Sequence, residues 1–381
     1  MTDEERAALR ARRTAAVNGC DRLLSAGRWP TMRERLTRLE SYDLDGPPDM
    51  YGDGPVAGLE QRVAELLGAE DAAFFPTGTM AQQVALRCWA GRTGDATVAL
   101  HPRAHPEVHE GGALGAVAGL RTVHPTREER LPDAAEVRDL AEPFGTLMLE
   151  LPLRDAGFVL PSWEELTATV AAARERDAVV HFDGARLWEC TPHFGRPLPE
   201  IADLADSVYV SFYKSLGGVS GAALAASADL VAEAKAWRHR YGGLPFQQWP
   251  AVLSALYGLD HELPRLPGYV AHAATVAAAL REALAAEVPF FRVHPQTPCT
   301  HQFQVWLPYP ADVLNEAGLR QAEETKTLVF GVWQEGPLPG LSHTEVTVSA
   351  SALEWTAEDV ADGTAQFLGF LRAGSPRSTH Q

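Results

Sequence analysis

The sequence predicts an α/β protein: a large domain on a mostly parallel sheet, followed by a smaller C-terminal α+β domain. Three observations predict it. Short apolar runs (AAFF, TVAL, LRTV, TLMLEL, AVVHF, SVYVSF and AALAAS) recur between residues 72 and 227. Strands buried on both faces read as continuous runs, whereas strands with one wet face alternate. Helical patterns such as PSWEELTATVAAARER (161–176) lie between several of them, as crossovers between parallel strands require. Finally, 381 residues with 46% hydrophobic side chains can bury a sizeable core, at a length that suits two domains.

The elements follow in order. Residues 3–16 read as a polar, charged helix, and TMRERLTRL (31–39) as a second short one. DLDGPPDMYGDGP (43–55) is turn-rich. Val56, Leu59, Val63, Leu66 and Leu67 then repeat at helical spacing, and Gly68 closes that helix. The strand AAFF (72–75) is broken by PTGTM, which opens a helix through about Trp89. Strands at 97–100, 120–123, 146–151, 178–182, 207–212 and 222–227 follow. After residue 228 come helical runs at 228–240, 245–258 and 263–284. Shorter strands are expected around Phe291 and at 303–307, 328–332 and 345–348, and a last helix from Ala357 to about Leu371. The expected organisation is an N-terminal arm (1–45), a large domain (46–254), a small domain (255–372) and a tail of disordered composition (373–381).

Charge narrows the function. The 33 basic and 50 acidic residues leave a formal −17, which argues against nucleic acid and against an anionic membrane surface. No uncharged apolar run of spanning length occurs, and the start has no apolar signal segment. Cys20, Cys88, Cys190 and Cys299 lie far apart, so a cytoplasmic location is expected rather than a disulfide framework. Only Lys214, Lys235 and Lys326 are lysines, which makes each one informative.

Five segments carry candidate chemistry. GDGPVAG (52–58) has the spacing G-x-G-x-x-x-G, contains Pro55 and follows no strand. It reads as a structural turn rather than a dinucleotide loop. His101, His105 and His109 are four apart, but Pro102 and Pro106 break the helix that would align them for a metal. No metal is expected, and a loop histidine near an active site is. PTGTM (76–80) is a strand-to-helix turn whose free N–H groups and dipole suit a phosphate, with the Thr77 and Thr79 hydroxyls adding donors. Asp183 in HFDGARLWE follows an apolar strand at its carboxyl end, where α/β sheets place functional groups. Lys214 ends SVYVSF and precedes Leu-Gly-Gly. A lysine among apolar groups has a lowered pKa and becomes an amine nucleophile. A phosphate cradle, a strand-end Asp and a desolvated Lys together are what pyridoxal 5′-phosphate needs: a Schiff-base lysine, a partner for the ring nitrogen and a phosphate site.

On these segments the sequence resembles the threonine aldolase branch of the fold-type I pyridoxal phosphate enzymes, the β-eliminating lyase family. The matching stretches are MYGDGPVAGLEQRVAELLGAEDAAFFPTGTMAQQVAL (50–86), the His105 region through GGA (111–113), HFDGARL (181–187) and VSFYKSLGG (210–218). The resemblance implies an aspartate aminotransferase-like fold, with Lys214 carrying the cofactor and Asp183 pairing with its ring nitrogen. It implies that Gly78 and Thr79 hold the phosphate, His105 stacks on the ring and takes part in proton transfer, and Arg186 binds the substrate carboxylate. It also implies a homodimer or homotetramer in which Tyr51 approaches a cofactor at the subunit interface. Two departures stand out: Thr347 and Phe246 occupy positions where the family has arginines. The expected activity is retro-aldol cleavage of a threonine-like β-hydroxy-α-amino acid to glycine and an aldehyde. The alternatives are β-elimination, transamination, or a catalytically silent pyridoxal-binding protein.

Overall fold

The structure is a computed structural model that describes residues 2–25 and 27–374. Two compact units emerge: residues 30–267, and the described residues up to Trp29 together with those from Gly268 onward.

The larger unit holds a seven-stranded sheet. Its strands are β1 (Asp71–Phe75), β2 (Thr97–Ala99), β3 (Arg121–Val123), β4 (Thr146–Glu150), β5 (Val179–Gly184), β6 (Ser207–Ser211) and β7 (Ala222–Ala226). They lie in the order β1-β7-β6-β5-β4-β2-β3. Neighbours from β6 through β3 are parallel, whereas β7 runs antiparallel to both β1 and β6. Every residue of β2, β4, β6 and β7 is buried, which is why their sequences show apolar runs rather than alternation. Helix Gly78–Thr93 packs Ala81, Val84, Ala85 and Cys88 into a core shared with Tyr209, Leu224 and Leu230. Helix Trp163–Arg174 starts at a capping box in which Ser162 and Glu165 satisfy each other's backbone N–H groups.

The smaller unit contains an antiparallel sheet of β8 (Arg292–His294), β9 (Gln302–Leu307), β10 (Trp333–Glu335) and β11 (Ser342–Thr347) in the order β10-β11-β9-β8. Arg22–Leu23 pairs in parallel with Thr327–Leu328. Helix Asp3–Asn18 lies along helix Ala311–Thr325, where Arg12 bridges Glu316 and Glu323.

Some expected elements differ in extent. The strand expected at 328–332 is divided between Thr327–Leu328 and β10. Side chains satisfy the intervening backbone: Gln321 accepts from the Val329 N–H, and the Thr344 hydroxyl donates to the Val332 carbonyl. The helix expected from 245 begins at Trp249, because buried Asp49 accepts from the backbone N–H groups of Gln248 and Trp249 and caps it there. The last helix extends through Gly374, so Ala373 and Gly374 belong to it, while 375–381 of the expected tail lie outside the described residues. No helix among the described residues is long and apolar enough to cross a membrane.

Candidate active site

The carboxyl ends of β4, β5 and β6 bring three side chains to one place. Register pairs Glu150 with Asp183, and Asp183 with Tyr209. Lys214 follows β6 after two aromatic residues. His105 opens a short helix, His105–Val108, beyond β2, and Thr79 lies in the first turn of helix Gly78–Thr93. Thr79, His105, Asp183, Arg186 and Lys214 all line one cleft.

The lysine sits on a tight connection between β6 and the antiparallel β7. Gly217 takes φ 68° there, and the Gly218 N–H donates to the Phe212 carbonyl at 2.8 Å. From behind, Trp188 Nε1 donates to the Ser211 carbonyl at 2.9 Å, and the Ser215 hydroxyl donates to Glu189. Burial lowers the Lys214 pKa, and the nearby positive charges of Arg186 and Arg154 lower it further. Both effects favour the neutral amine.

The carboxyl groups are displaced the other way. Asp183 is 2% exposed and accepts from the Ala185 N–H at 3.0 Å. No side-chain cation stands within ion-pair distance of it among the described residues, and burial pushes it up to about 6. Glu150 accepts from the backbone N–H groups of His105 (2.7 Å) and Arg154 (3.2 Å). Burial, and then the charge of Asp183, push it up to about 8. His105 Nδ1 lies 3.3 Å from Glu110 Oε1, and that carboxylate raises the imidazole against the opposing effect of burial. The Arg186 guanidinium lies 5.3 Å above the ring of buried Phe158.

A polar chain approaches from the sheet side. Trp89 Nε1 donates to Ser207 Oγ at 2.7 Å, His181 Nδ1 lies 2.8 Å from the same oxygen, and His181 Nε2 lies 2.6 Å from Gln82 Oε1. Burial lowers His181 to about 3, so the ring is neutral. An amide oxygen only accepts, so the single ring proton sits on Nε2 and the Ser207 hydroxyl donates to Nδ1. Gln82 is thereby fixed with a buried Nε2 that has no partner, on the wall of the cleft. An unpaired buried donor calls for an acceptor. At the helix start, a Cβ on Gly78 would collide with the Tyr209 hydroxyl. These features suit pyridoxal phosphate: an amine whose pKa is lowered, a buried carboxylate that a cationic ring nitrogen would match, and a donor-rich helix start. Lys214, Asp183, Thr79 and Gln82 are the residues that would hold it.

Tyr51 does not line the cleft. It stands 61% exposed, at φ 52°, with its ring 5.3 Å from that of Phe246. The histidines of HPRAHPEVHE are separately engaged: His101 with the Glu128 carbonyl, His105 with Glu110, His109 with Asp155. GDGPVAG is a turn in which Gly54 precedes Pro55 at the start of helix Pro55–Leu67. Thr347 lies in β11, where its hydroxyl accepts from Gln302 Nε2 at 3.0 Å. Sequence reasoning missed Gln82, Glu110, Glu150, Tyr209 and Tyr213, which also line the cleft. The available signal was position: Glu150 ends an apolar strand just as Asp183 does.

Residues 28–298 match the sequence profile of the beta-eliminating lyase family. The low specificity L-threonine aldolase of Escherichia coli (strain K12) is 32% identical over 242 residues, covering 62% of this chain and 72% of that protein. A Listeria monocytogenes EGD-E structure, assigned by inference as an L-allo-threonine aldolase, superposes with TM-score 0.87 at 31% identity. That match covers 95% of this chain and 99% of the other. Serine palmitoyltransferase from S. paucimobilis, in a complex containing PLP, shares the fold at TM-score 0.66 and 18% identity, covering 92% of this chain and 87% of that one.

Proposed function

Because the chain belongs to the β-eliminating lyase family, we propose that it is a pyridoxal phosphate-dependent lyase that cleaves a threonine-like β-hydroxy-α-amino acid to glycine and an aldehyde. The observation that carries this reading is the meeting of Lys214, Asp183, Arg186 and His105 in one cleft beside a helix start. When bound, pyridoxal phosphate supplies an electron-withdrawing ring that takes up the electron pair of the bond broken at Cα. Lys214, whose pKa burial lowers, would hold that group through Nζ. Asp183 offers a negative charge to its ring nitrogen, and Gly78, Thr79 and Gln82 take its phosphate at the helix start. Arg186 grips the substrate carboxylate in a planar two-point contact, which sets which bond at Cα stands across the ring. His105 takes the proton of the β-hydroxyl.

A homo-oligomer in the cytoplasm belongs to the same reading. It is supported by the exposed apolar side chains of Met50, Tyr51 and Phe246, of which Tyr51 would face a neighbouring subunit's site. Thr347 favours a second reading, β-elimination or amino transfer. A threonine there removes a cationic contact expected on the substrate carboxylate, and with it some control over which bond breaks. The test is product analysis over a panel of β-hydroxy amino acids, using protein whose visible absorption reports bound cofactor. Glycine with an aldehyde supports the lyase. A keto acid with ammonia, or an aminated cofactor, supports the second reading, and no turnover on the whole panel overturns both.

A further inference from the structure

We propose that Glu110 is the positioning residue for His105: it fixes the imidazole with hydrogen on Nδ1 and the lone pair on Nε2, and so makes Nε2 the acceptor of the substrate's hydroxyl proton. The proton-accepting role rests on the lyase reading above; the positioning role does not.

The argument is geometric. Glu110 Oε1 lies 3.3 Å from His105 Nδ1, and the Glu110 side chain is 2% exposed. A carboxylate at ion-pair distance favours hydrogen on Nδ1, and a neutral imidazole with that tautomer has its lone pair on Nε2. Among the described residues His105 Nε2 has no hydrogen-bond partner, and His105 lines the cleft. The carboxylate is itself oriented, because Gln83 Nε2 donates to Glu110 Oε2 at 3.3 Å. The histidine backbone is fixed independently, by its N–H on Glu150 Oε2. His109 makes the contrast. It is exposed, and it turns Nε2 rather than Nδ1 to a carboxylate, Asp155.

The step balances. The hydroxyl proton moves to Nε2, the O–H electron pair becomes the second carbon–oxygen bond of the aldehyde, and the Cα–Cβ pair stays with Cα. The imidazolium formed is matched by Glu110, and its proton passes on to the glycine fragment. The other titratable and charged groups facing the ring are Glu150 and Asp183, with His109 at 5.2 Å between ring centroids and Arg186 and Lys214 across the cleft.

The test uses the holoenzyme and its Glu110→Gln and Glu110→Ala variants, with visible absorption reporting that the cofactor remains bound. Ring-nitrogen NMR of His105 should show the Nδ1–H tautomer in the wild type and in Glu110→Gln, where an amide oxygen still accepts. Glu110→Ala should lose that preference. The His105 titration midpoint should fall in both variants, because the negative charge is gone. The acid limb of kcat/KM should move down with it, and kcat in Glu110→Ala should drop roughly tenfold or more, with little change in KM. An unchanged tautomer and midpoint would overturn the proposal. If the wild type turns over no β-hydroxy amino acid, the lyase reading falls and the NMR measurement alone decides the positioning role.

Discussion

The chemistry of the cleft reduces to a few side chains whose charge is set by burial. Lys235 Nζ is paired with Glu60 (3.0 Å) and Asp71 (3.2 Å), and Lys326 Nζ donates to the Glu323 carbonyl at 3.0 Å. Burial makes Lys214 an amine of different character. Lys214→Ala should therefore abolish the visible absorption of purified protein. After borohydride treatment of the wild type, peptide mapping should find the label on Lys214, and a label on either other lysine would refute the assignment. Arg186 gives a second prediction. Lysine cannot reproduce a two-point planar contact, so Arg186→Lys should raise KM strongly and lower kcat as well, because the substrate loses its orientation. Unchanged kinetics would place the carboxylate elsewhere. At this scale the sequence was half legible. Asp183 and Lys214 stood out because each follows an apolar run, and glycines follow the lysine. Glu110 and Gln82 did not, because a Glu in HPEVHE and a Gln in AQQV look like solvated surface until the fold buries them.

Among the elements, the strands were the most legible, since burial on both faces leaves an apolar run that periodicity alone detects. Boundaries set by distant side chains were not. The start of helix Trp249–His261 depends on Asp49, some two hundred residues earlier, whose carboxylate accepts from Gln248 N–H at 2.8 Å and Trp249 N–H at 2.7 Å. Asp49 is fully buried. Asp49→Ala would leave two buried backbone donors unpaired at a helix start, so it should cost about 2 kcal/mol in urea unfolding, with Asp49→Asn costing less. Equal stability of Asp49→Ala and wild type would mean that the cap contributes nothing and that packing alone sets this boundary.

For the molecule as a whole, the buried titratable groups give stability a definite pH dependence. Glu150 moves from an ordinary 4.5 to about 8 on folding. Between those values the folded chain keeps a proton that the unfolded chain has released, so stability falls as pH rises through that window. Asp183, raised from 3.8 to about 6, acts in the same direction at lower pH. His181, lowered from 6.5 to about 3, acts oppositely, because the unfolded chain binds a proton that the folded chain refuses. Above pH 6.5 the His181 opposition fades and Lys214, with its lowered value, opposes in its place, while Glu150, and His105 with its raised value, still titrate. Glu150 alone should therefore cost cofactor-free protein about 2 kcal/mol of stability between pH 6.5 and 8.5. Glu150→Gln, which stays neutral throughout, should remove most of that loss. A slope in this variant as steep as in the wild type would show that Glu150 is ionised in the native state.

One consequence follows from the direction of β7. At the cleft, β2, β4 and β5 lead into loops and short helices that can loosen without unpairing a strand. Lys214 is placed differently: its connection leaves and re-enters two buried, mutually hydrogen-bonded strands, and is tied across by the Phe212 N–H on the Gly221 carbonyl and the Gly218 N–H on the Phe212 carbonyl. The groups that meet the substrate, on the His105–Val108 turn and on the segment after Glu150, ride on connections that tolerate insertion and replacement. The chain thus separates what must not drift from what can be revised: new substrates can be tried at the rim while the amine stays where it is.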